Sequence, residues 1–289
     1  MTTCAELTSD DLLHPDWQVS PRVRALVTTR NGGVSEPPFG RWQTVHGSEG
    51  VDVPGGLNLG RGSGDDLVHV EANRERLLAH AGVPAAWLKQ IHGPVVVDAA
   101  QALAAARAGS PLEADASVTA EPGIACTVMV ADCMPVLLCD AEGRAVGAAH
   151  AGWRGLAAGV IERTAERVAA LAGCATGDLH AYLGPAIGPT AFEVGADVRD
   201  AFMTQVEQLD GARRDAHRAA TAAAFVAHPE ASGKYLANLA ALARLRLDTL
   251  GVRHVSGGDI CTVTLRERFY SYRRDRVTGR MAALIWLHP

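Results

Sequence analysis

Three side chains that can ligate a metal ion or carry out nucleophilic chemistry stand at the ends of predicted strands: His92, Cys133 and His150. Each has a glycine, a proline or another small residue within two positions. Two imidazoles and one thiolate with a fourth position left open describe a catalytic zinc site, because structural zinc sites are closed by four protein ligands. The separations of 41 and 17 residues match no compact zinc-finger pattern, so the spacing alone gives little support.

A metal-free alternative uses the same residues, with Cys133 as the nucleophile and His150 or His92 as its base. In a chain with eleven histidines, any one histidine is more often a surface or core residue than a ligand. The residues by themselves therefore leave a metal site, a cysteine nucleophile and a purely structural role open.

A β-hairpin is predicted to bring Cys133 and His150 close together. The residues that flank Cys133 are apolar and partly β-branched, as in buried strands, and Gly143 can adopt the positive φ that a tight turn needs. The predicted elements are strands at Val128–Val130 and Pro135–Cys139, a turn at Asp140–Arg144, a strand at Ala145–Ala149 and a helix at Leu156–Leu171. Because the two strands of a hairpin run back alongside each other, Cys133 and His150 meet without any long-range folding argument.

Six polar residues are candidates for binding a substrate: Asn58, Arg61, Asp132, Arg154, Ser271 and Arg273. An arginine at a glycine-rich corner, such as Arg154, can hold phosphate or carboxylate through two parallel hydrogen bonds. An ion pair with a nearby acid explains Arg154 and Arg273 equally well, and a capping or turn role explains Asn58 and Asp132. Three glycines before a predicted helix, in residues 58–64, give a weak indication of an anion-binding loop.

Composition excludes several classes of partner and compartment. The net charge of −5, the isoelectric point near 6.1 and the aromatic content of 5% argue against binding to nucleic acid or to an anionic membrane. The acidic N-terminus lacks the apolar core of a signal peptide and no run is long enough to span a membrane, so we expect a cytoplasmic protein. Six scattered cysteines fit reduced thiols, and Cys126 and Cys139, within apolar strands, are predicted to be inert.

The remaining elements are predicted from hydrophobic periodicity, capping residues and turn residues. Helices are expected at 67–82, 196–208 and Lys234–Gly251, and a short alanine-rich helix or a loop at Ala100–Gly109. Strands are expected at Val23–Thr29, Trp87–Val97, His180–Leu183, Val252–Val255, Asp259–Thr262 and Met281–Leu287. Residues 1–20 are predicted as a loose leader, 21–289 as a single domain, 37–56 as a long loop and 210–232 as a polar stretch with disordered tips.

Five ordered motifs carry a resemblance to a known family: KQIHG (89–93), ADCMPVLLCD (131–140), GAAHAGWRG (147–155), LGPAIGP…FEVG (183–195) and ICT…FYSYRRD…TGRMAALIWL (260–287). Together they resemble the bacterial YfiH family, also called peptidoglycan editing factor, purine nucleoside phosphorylase or multicopper polyphenol oxidase (laccase). The similarity covers residues 23–288, and TTRNGGVSEPPFG and LNLGRGSGDD resemble the family's N-terminal blocks. The resemblance implies a single α+β domain whose mixed β-sheets are layered with helices in the order α/β/β/α.

The same resemblance implies a zinc ion held by His92, Cys133 and His150. The implied activity is phosphorolysis of purine nucleosides (adenosine, inosine, guanosine and methylthioadenosine) to the base and ribose 1-phosphate, accompanied by deamination of adenosine. The partners would be these small molecules and phosphate, bound by a monomer or homodimer. Phosphorolysis needs an anion site near C1′, for which Arg154, Arg273 and the 58–64 loop are the candidates.

The chain departs from the family pattern in ways that bear on copper. Ala186, Thr190 and Ala191 stand where the family often has cysteine, and Asn238 stands where it often has aspartate. A laccase needs a blue-copper site and a trinuclear cluster rich in His-x-His pairs, and this sequence contains no His-x-His. A copper-dependent polyphenol oxidase is therefore disfavoured, although copper can occupy a two-histidine, one-cysteine set in vitro because it outcompetes zinc.

Two further functions remain as alternatives. The family's editing name implies a cysteine or zinc hydrolase of muropeptide precursors, for which Cys133 and His150 could serve equally. A non-catalytic, metal-stabilised protein would have a fourth protein ligand and would unfold without its metal.

Overall fold

The computed structural model describes residues 7–45, 50–209 and 211–288. The strands are Leu12–Leu13 (β1), Val23–Thr28 (β2), Asn31–Ser35 (β3), Arg41–Gln43 (β4), Val51–Val53 (β5), Ala85–Ala86 (β6), Val96–Asp98 (β7), Ala116–Thr119 (β8), Ala125–Val130 (β9), Met134–Asp140 (β10), Val146–Ala151 (β11), Leu179–Leu183 (β12), Glu193–Gly195 (β13), Phe225–Ala227 (β14), Lys234–Ala237 (β15), His254–Gly257 (β16) and Met281–Leu287 (β17). The helices are Leu67–Ala81 (α1), Ala99–Arg107 (α2), Trp153–Ala157 (α3), Val160–Ala172 (α4), Ala196–Val206 (α5), Gly211–Ala223 (α6), Leu239–Thr249 (α7) and Tyr272–Asp275 (α8).

Two β-sheets of mixed strand direction form the centre of the molecule. One has the strand order β1-β2-β17-β9-β6 and the other β16-β12-β10-β11-β8-β7. Most neighbouring strands are antiparallel, whereas β6 and β9, β7 and β8, and β12 and β16 pair in parallel. Two smaller sheets, β13-β15-β14 and β4-β5, lie outside this centre.

Apolar side chains join the two large sheets face to face and attach helices to their outer faces. Val27, Val128 and Ile285 of the first sheet pack with Leu137, Val146 and Tyr182 of the second. The outer face of the second sheet packs on α4 and α7, and that of the first packs on α1. The order of layers is thus helix, sheet, sheet, helix, which confirms the predicted α+β fold of α/β/β/α type.

The hairpin predicted around Cys133 and His150 is present. Strands β10 and β11 pair antiparallel, with Pro135 opposite His150 and Cys139 opposite Val146. Both strands are buried along their whole length, as their small and apolar residues predict. The predicted helices at 67–82 and 196–208 and the strands at Val23–Thr29, His180–Leu183 and Met281–Leu287 are also present, with ends that shift by a few residues. Of the helix or loop predicted at Ala100–Gly109, the helix is the one that forms, as α2.

Two predicted helices are present with different bounds, because backbone pairing and a glycine override apolar periodicity. Residues 234–237 form β15 between β13 and β14, and the helix starts only after Asn238, whose side chain accepts a hydrogen bond from the Ala241 N–H group. The predicted helix Leu156–Leu171 is two helices, α3 and α4, because Gly159 between them has a left-handed φ of 89°.

Several segments predicted as irregular or as strands differ from the prediction. The predicted loop 37–56 contains the β4–β5 hairpin, with residues 46–49 outside the described residues, and 210–232 contains α6 and β14, with residue 210 outside them. The strand predicted at Trp87–Val97 is reduced to β7, and the strand predicted at Val252–Val255 is displaced to β16. Asp259–Thr262 forms a single bridge, between Cys261 and Ala186. In the predicted leader, residues 12–13 pair with β2, which places Leu12 in the core. Among the described residues, no helix is long and apolar enough to cross a membrane.

Candidate metal centre and its cavity

The structure brings His92, Cys133 and His150 together. One potential ligand atom from each of the three side chains lies within 4.8 Å of the other two. His150 is 3% exposed and Cys133 is partly buried, whereas His92 is exposed, so the group opens on one side. A thiolate and two imidazoles that face an opening fit a metal ion with one free coordination position.

Backbone geometry places the two hairpin ligands. Cys133 directly precedes β10, and His150 lies near the end of β11, opposite Pro135. Gly152, two residues after His150, makes the close approach possible: a Cβ atom there would lie 2.7 Å from the Cys133 Sγ and 3.3 Å from the His92 Cδ2. The glycine of the AHAGW motif is therefore needed for space rather than for an unusual φ.

A buried carboxylate, Asp115, holds the two histidines, His92 and His150, in place. Its oxygens accept hydrogen bonds from the backbone N–H groups of Ile91, His92 and Gly93 at 3.2, 2.9 and 2.7 Å. The same carboxylate lies 2.9 Å from the His150 Nδ1, which leaves the other ring nitrogen of His150 for a metal ion. His92 adopts a φ of 60°, uncommon for a residue with a side chain, and these bonds hold its loop in that conformation.

The electrostatics of the centre favour a charged thiolate and imidazolium. Burial alone would raise the pKa of Cys133, but the neighbouring His150 and His92 outweigh it and lower this pKa to about 6. Burial alone would lower the pKa of His150, but Cys133 and Asp115 raise it to about 9. The Asp115 pKa is also lowered, because bonds from His150 and the backbone of Gly93 and His92 outweigh its burial.

The three ligands open into a cavity of about 1150 Å³ that is rich in positive charge. Among the described residues that line it, the cations are Arg61, Arg74, Lys89, Arg107, Arg154, Arg273, Arg276 and Arg280, and the acid is Asp132. The apolar part of its wall is formed by Trp87, Leu103, Trp153, Phe192 and Leu239. A cavity with apolar walls and many guanidinium groups suits an anionic ligand with an apolar part.

Four of the six predicted substrate-binding residues line this cavity. Arg154 is exposed there, with its guanidinium 4.5 Å from the Trp153 ring and no acid within ion-pair distance in the described part of the chain. Arg273 donates to the carbonyls of Ala191 and Glu193. Arg61 is paired with Glu71 at 2.6 Å.

The fourth, Asp132, is at the cavity but is engaged by the protein. Its oxygens accept 2.6 Å hydrogen bonds from the Thr262 hydroxyl and from the Arg273 backbone N–H group. It adopts a φ of 91° directly before Cys133. These contacts support a role in placing the Cys133 segment.

Asn58 and Ser271 do not line the cavity. Asn58 is buried and binds Ser63, Asp65, Gly60 and Arg280, so it holds the loop that precedes α1. Ser271 is buried and caps α8 by accepting a hydrogen bond from the Arg274 N–H group. For Asn58 the structure therefore supports the turn alternative, and Ser271 is a helix cap, which the sequence did not indicate.

The chain is similar to known proteins along almost its whole length. A family model described as multi-copper polyphenol oxidoreductase laccase matches residues 24–288. A purine nucleoside phosphorylase of Pseudomonas aeruginosa is 46% identical over 276 residues, which cover 95% of this chain and 98% of that protein. Purine nucleoside phosphorylase YfiH of Escherichia coli is 45% identical over 278 residues, 96% of this chain and 98% of that protein. The chain belongs to the YfiH family.

A solved structure supports the same conclusion at the level of the fold. The crystal structure of a Neisseria meningitidis protein matches with a TM-score of 0.80 and 46% identity, covering 96% of this chain and all of that chain. The layered arrangement that places the three ligands in this YfiH-family protein is therefore shared with a solved relative.

Sequence reasoning missed several residues of the centre. Asp115 lies between two alanines before β8, where nothing marks a ligand-orienting carboxylate. Arg74, in the middle of α1, and Arg280, before β17, both line the cavity but stand outside any glycine-rich corner. Asp115 and His150 are 35 residues apart in sequence, and they meet only because β8 and β11 pair in the sheet.

Proposed function

We propose that this chain is a zinc-dependent purine nucleoside phosphorylase that also deaminates adenosine. The observation that carries the proposal is the juxtaposition of an open His–Cys–His ligand group with a cavity lined by arginines. Relatives that match almost the whole chain at 45–46% identity are named purine nucleoside phosphorylases, which supports the same reaction. The expected substrates are adenosine, inosine, guanosine and methylthioadenosine, together with phosphate.

Zinc is the metal that we assign to His92, Cys133 and His150. Two imidazoles and a thiolate with an open position are typical ligands of catalytic zinc. A multicopper oxidase would need further histidine-rich ligand sets, and among the described residues one group of at least three potential ligands is present. The multi-copper description of the family model is therefore not matched by the one ligand group found in the described part of the chain.

The residues of the cavity account for the parts of the reaction. Phosphorolysis breaks the bond between C1′ and the purine nitrogen and forms a bond from C1′ to an oxygen of hydrogen phosphate. The base keeps the electron pair of the broken bond and takes up the proton that the hydrogen phosphate gives up. A zinc ion at the centre would supply Lewis acidity and, for deamination, activated water. Asp115 orients His150, Arg154 binds the phosphate, and the apolar surface of Trp153 and Phe192 excludes water from the base.

Chromatographic product analysis tests the proposal. Zinc-loaded protein given inosine and phosphate should release hypoxanthine and ribose 1-phosphate, and protein stripped of metal should not. Zinc-loaded protein given adenosine should also form inosine. If protein with one zinc per chain turns over no nucleoside, the proposal is wrong, and a hydrolase of muropeptide precursors becomes the better hypothesis.

The role of Arg154 has its own test. Arg154→Ala should raise the KM for phosphate about tenfold or more, because an arginine–phosphate pair contributes roughly 1.5–3 kcal/mol. Arg163→Ala, which removes an exposed arginine from α4, is the matched control and should leave this KM unchanged. An unchanged KM in Arg154→Ala would contradict the assignment.

The cytoplasmic location and the monomeric or homodimeric state expected from the sequence stay predictions.

A further inference from the structure

Arg74 is a buried cation that makes no ion pair within the described residues; Glu71, one helical turn away, acts on it only at longer range. Its side chain is 5% exposed, and its guanidinium carbon lies 4.1 Å from the centre of the Trp87 ring. The Nε donates to the Leu59 carbonyl at 2.9 Å, and no carboxylate lies within ion-pair distance in the described part of the chain. Burial lowers its pKa to about 10. A buried charge is costly unless a counter-charge balances it, so this position favours an anion in the cavity that Arg74 lines.

Arg280 reaches the same stretch of backbone. Its carbonyl accepts a hydrogen bond from the Leu59 N–H group at 3.0 Å, and a Cβ atom on Gly60 would lie 2.6 Å from its Cγ. Its guanidinium donates to the carbonyls of Thr278 and Gly279 and, like that of Arg74, has no acid within ion-pair distance among the described residues. Leu59 and Gly60 therefore have an arginine on each side, and both arginines line the cavity.

The turn Gly60–Ser63, which follows the backbone that both arginines contact, is suited to close contact with a ligand. Gly60–Ser63 lines the cavity, and Asn58 holds it by accepting hydrogen bonds from the N–H groups of Gly60 and Arg280. A Cβ atom at Gly62 would have nothing within 4 Å. The backbone N–H groups of Arg61 and Gly62 donate to no protein atom in the described ranges. The Arg61 side chain is paired with Glu71 at 2.6 Å, whereas Arg74 and Arg280 make no ion pair among the described residues and feel Glu71 and Asp132, respectively, only at longer range.

We propose that Arg74, Arg280 and the Gly60–Ser63 turn form a subsite for a phosphate group, separate from Arg154, in the cavity of the metal centre. Two planar guanidinium groups and a glycine turn match the several acceptor oxygens of phosphate better than a single carboxylate. The cavity, at about 1150 Å³, exceeds the usual 300–1000 Å³ of small-ligand sites, so a nucleoside and a second anion have room together. The proposal extends the proposed function: the phosphate is either free or carried by the nucleoside on its 5′ oxygen.

Isothermal titration calorimetry on zinc-loaded protein in a phosphate-free buffer tests the subsite. The three probes are inosine, inosine 5′-monophosphate and inorganic phosphate alone, with Arg74→Gln and Arg280→Gln as the variants. Each variant should weaken a phosphate-bearing probe about tenfold or more and leave inosine within about twofold. Arg107→Gln, at the exposed end of α2, removes the same charge from the rim, so it measures the effect of long-range attraction alone.

The two phosphate probes distinguish the source of the ligand. Weaker binding of inosine 5′-monophosphate in both variants supports a substrate that carries its own phosphate, and weaker binding of inorganic phosphate supports free phosphate. If Arg74→Gln does not fold, as judged by circular dichroism, Arg280→Gln carries the same expectation. Unchanged affinity for both probes, or a loss equal to that of Arg107→Gln, overturns the subsite. Because no reaction is required, this result is independent of whether the wild-type protein phosphorolyses inosine.

Discussion

Asp115 is the residue on which the geometry of the centre depends most. One carboxylate accepts hydrogen bonds from three consecutive N–H groups of the His92 loop and from the His150 ring. Such carboxylate–histidine contacts fix the tautomer and the orientation of a metal ligand. We expect Asp115→Asn to weaken zinc binding about 10- to 100-fold, measured by competition with a chromophoric chelator.

Asp140 offers the matched control for this prediction. It is also a buried carboxylate, and it accepts hydrogen bonds from the backbone N–H groups of Arg144 and Ala145. It lies at the end of β10, where the turn to β11 begins, away from the ligands. Asp140→Asn should lower thermal stability and leave zinc affinity unchanged. Equal losses of zinc affinity in the two variants would show that Asp115 acts through general stability.

The thiol of Cys133 should titrate well below an ordinary cysteine in the metal-free protein. His150 and His92 outweigh burial and lower its pKa to about 6, whereas a free cysteine has a pKa near 8.5. The thiolate absorbance at 240 nm, taken as wild type minus Cys133→Ser, should rise with a midpoint near pH 6. His150→Gln should move that midpoint upward because it removes the neighbouring positive charge. A wild-type midpoint above pH 8 would contradict the thiolate–imidazolium pair.

The other thiols explain why the difference spectrum is needed. Burial raises the pKa of Cys126 to about 12 and also raises that of Cys139, so neither contributes at neutral pH, as their apolar strands predict. The pKa of Cys261 is lowered because hydrogen bonds from Thr264 and from the backbone of Gly188 outweigh its burial. Subtracting the Cys133→Ser spectrum removes this second low-pH signal.

Residue type and local pattern marked the three candidate ligands but not what orients them. His92, Cys133 and His150 stood out by type and by their place at predicted strand ends, a structural role stayed open on those grounds alone, and the family motifs point to the same three residues. Asp115 and Arg74 depend on neighbours that are distant in sequence, and a carboxylate or guanidinium by itself carries no such signal. Asn58 and Ser271 show the opposite error, because polar side chains that hold turns and helix ends resemble binding residues in sequence.

At the scale of elements, the hairpin was predictable because its two strands and its turn are contiguous. The predicted Lys234–Gly251 helix begins too early because Leu236 continues the helical spacing of Leu239 and Leu242, while the backbone of residues 234–237 pairs with β13 and β14. That pairing joins residues up to 43 positions apart, which local periodicity does not encode. Asn238, by contrast, is a local helix-start signal, and α7 begins directly after it.

The corner between β11 and α3 yields a prediction about space. A Cβ atom at Gly152 would lie 2.7 Å from the Cys133 Sγ, closer than real Cβ contacts allow. Gly152→Ala should therefore displace Cys133 and reduce the zinc content of purified protein to well below one per chain, with far-UV circular dichroism unchanged. Gly62→Ala is the control, because its added Cβ meets nothing within 4 Å. Full zinc occupancy in Gly152→Ala would show that the corner can relax.

At the scale of the whole molecule, average charge conceals the character of the cavity. The chain carries a net charge of −5, yet eight cations and one acid are among the described residues that line the cavity. These cations come from segments between residues 61 and 280 and converge only through the layered fold. Composition could exclude an extended basic surface for nucleic acid, but it could not reveal a small anion-binding cavity.

Removal of the metal separates an enzyme from a protein that needs metal to fold. Extensive apolar clusters lie between the sheets and beneath the helices, and His92 is exposed at the edge of the fold, so we expect the core to hold without an ion. Chelation should leave the far-UV circular dichroism and cooperative unfolding intact. Chelation should lower the Tm by roughly 5–10 °C, because it removes the stabilisation that a ligand present at about 100 times its Kd gives to the folded state. A random-coil spectrum after chelation would instead favour a metal-stabilised, non-catalytic protein, since such domains unfold when the ion is withdrawn.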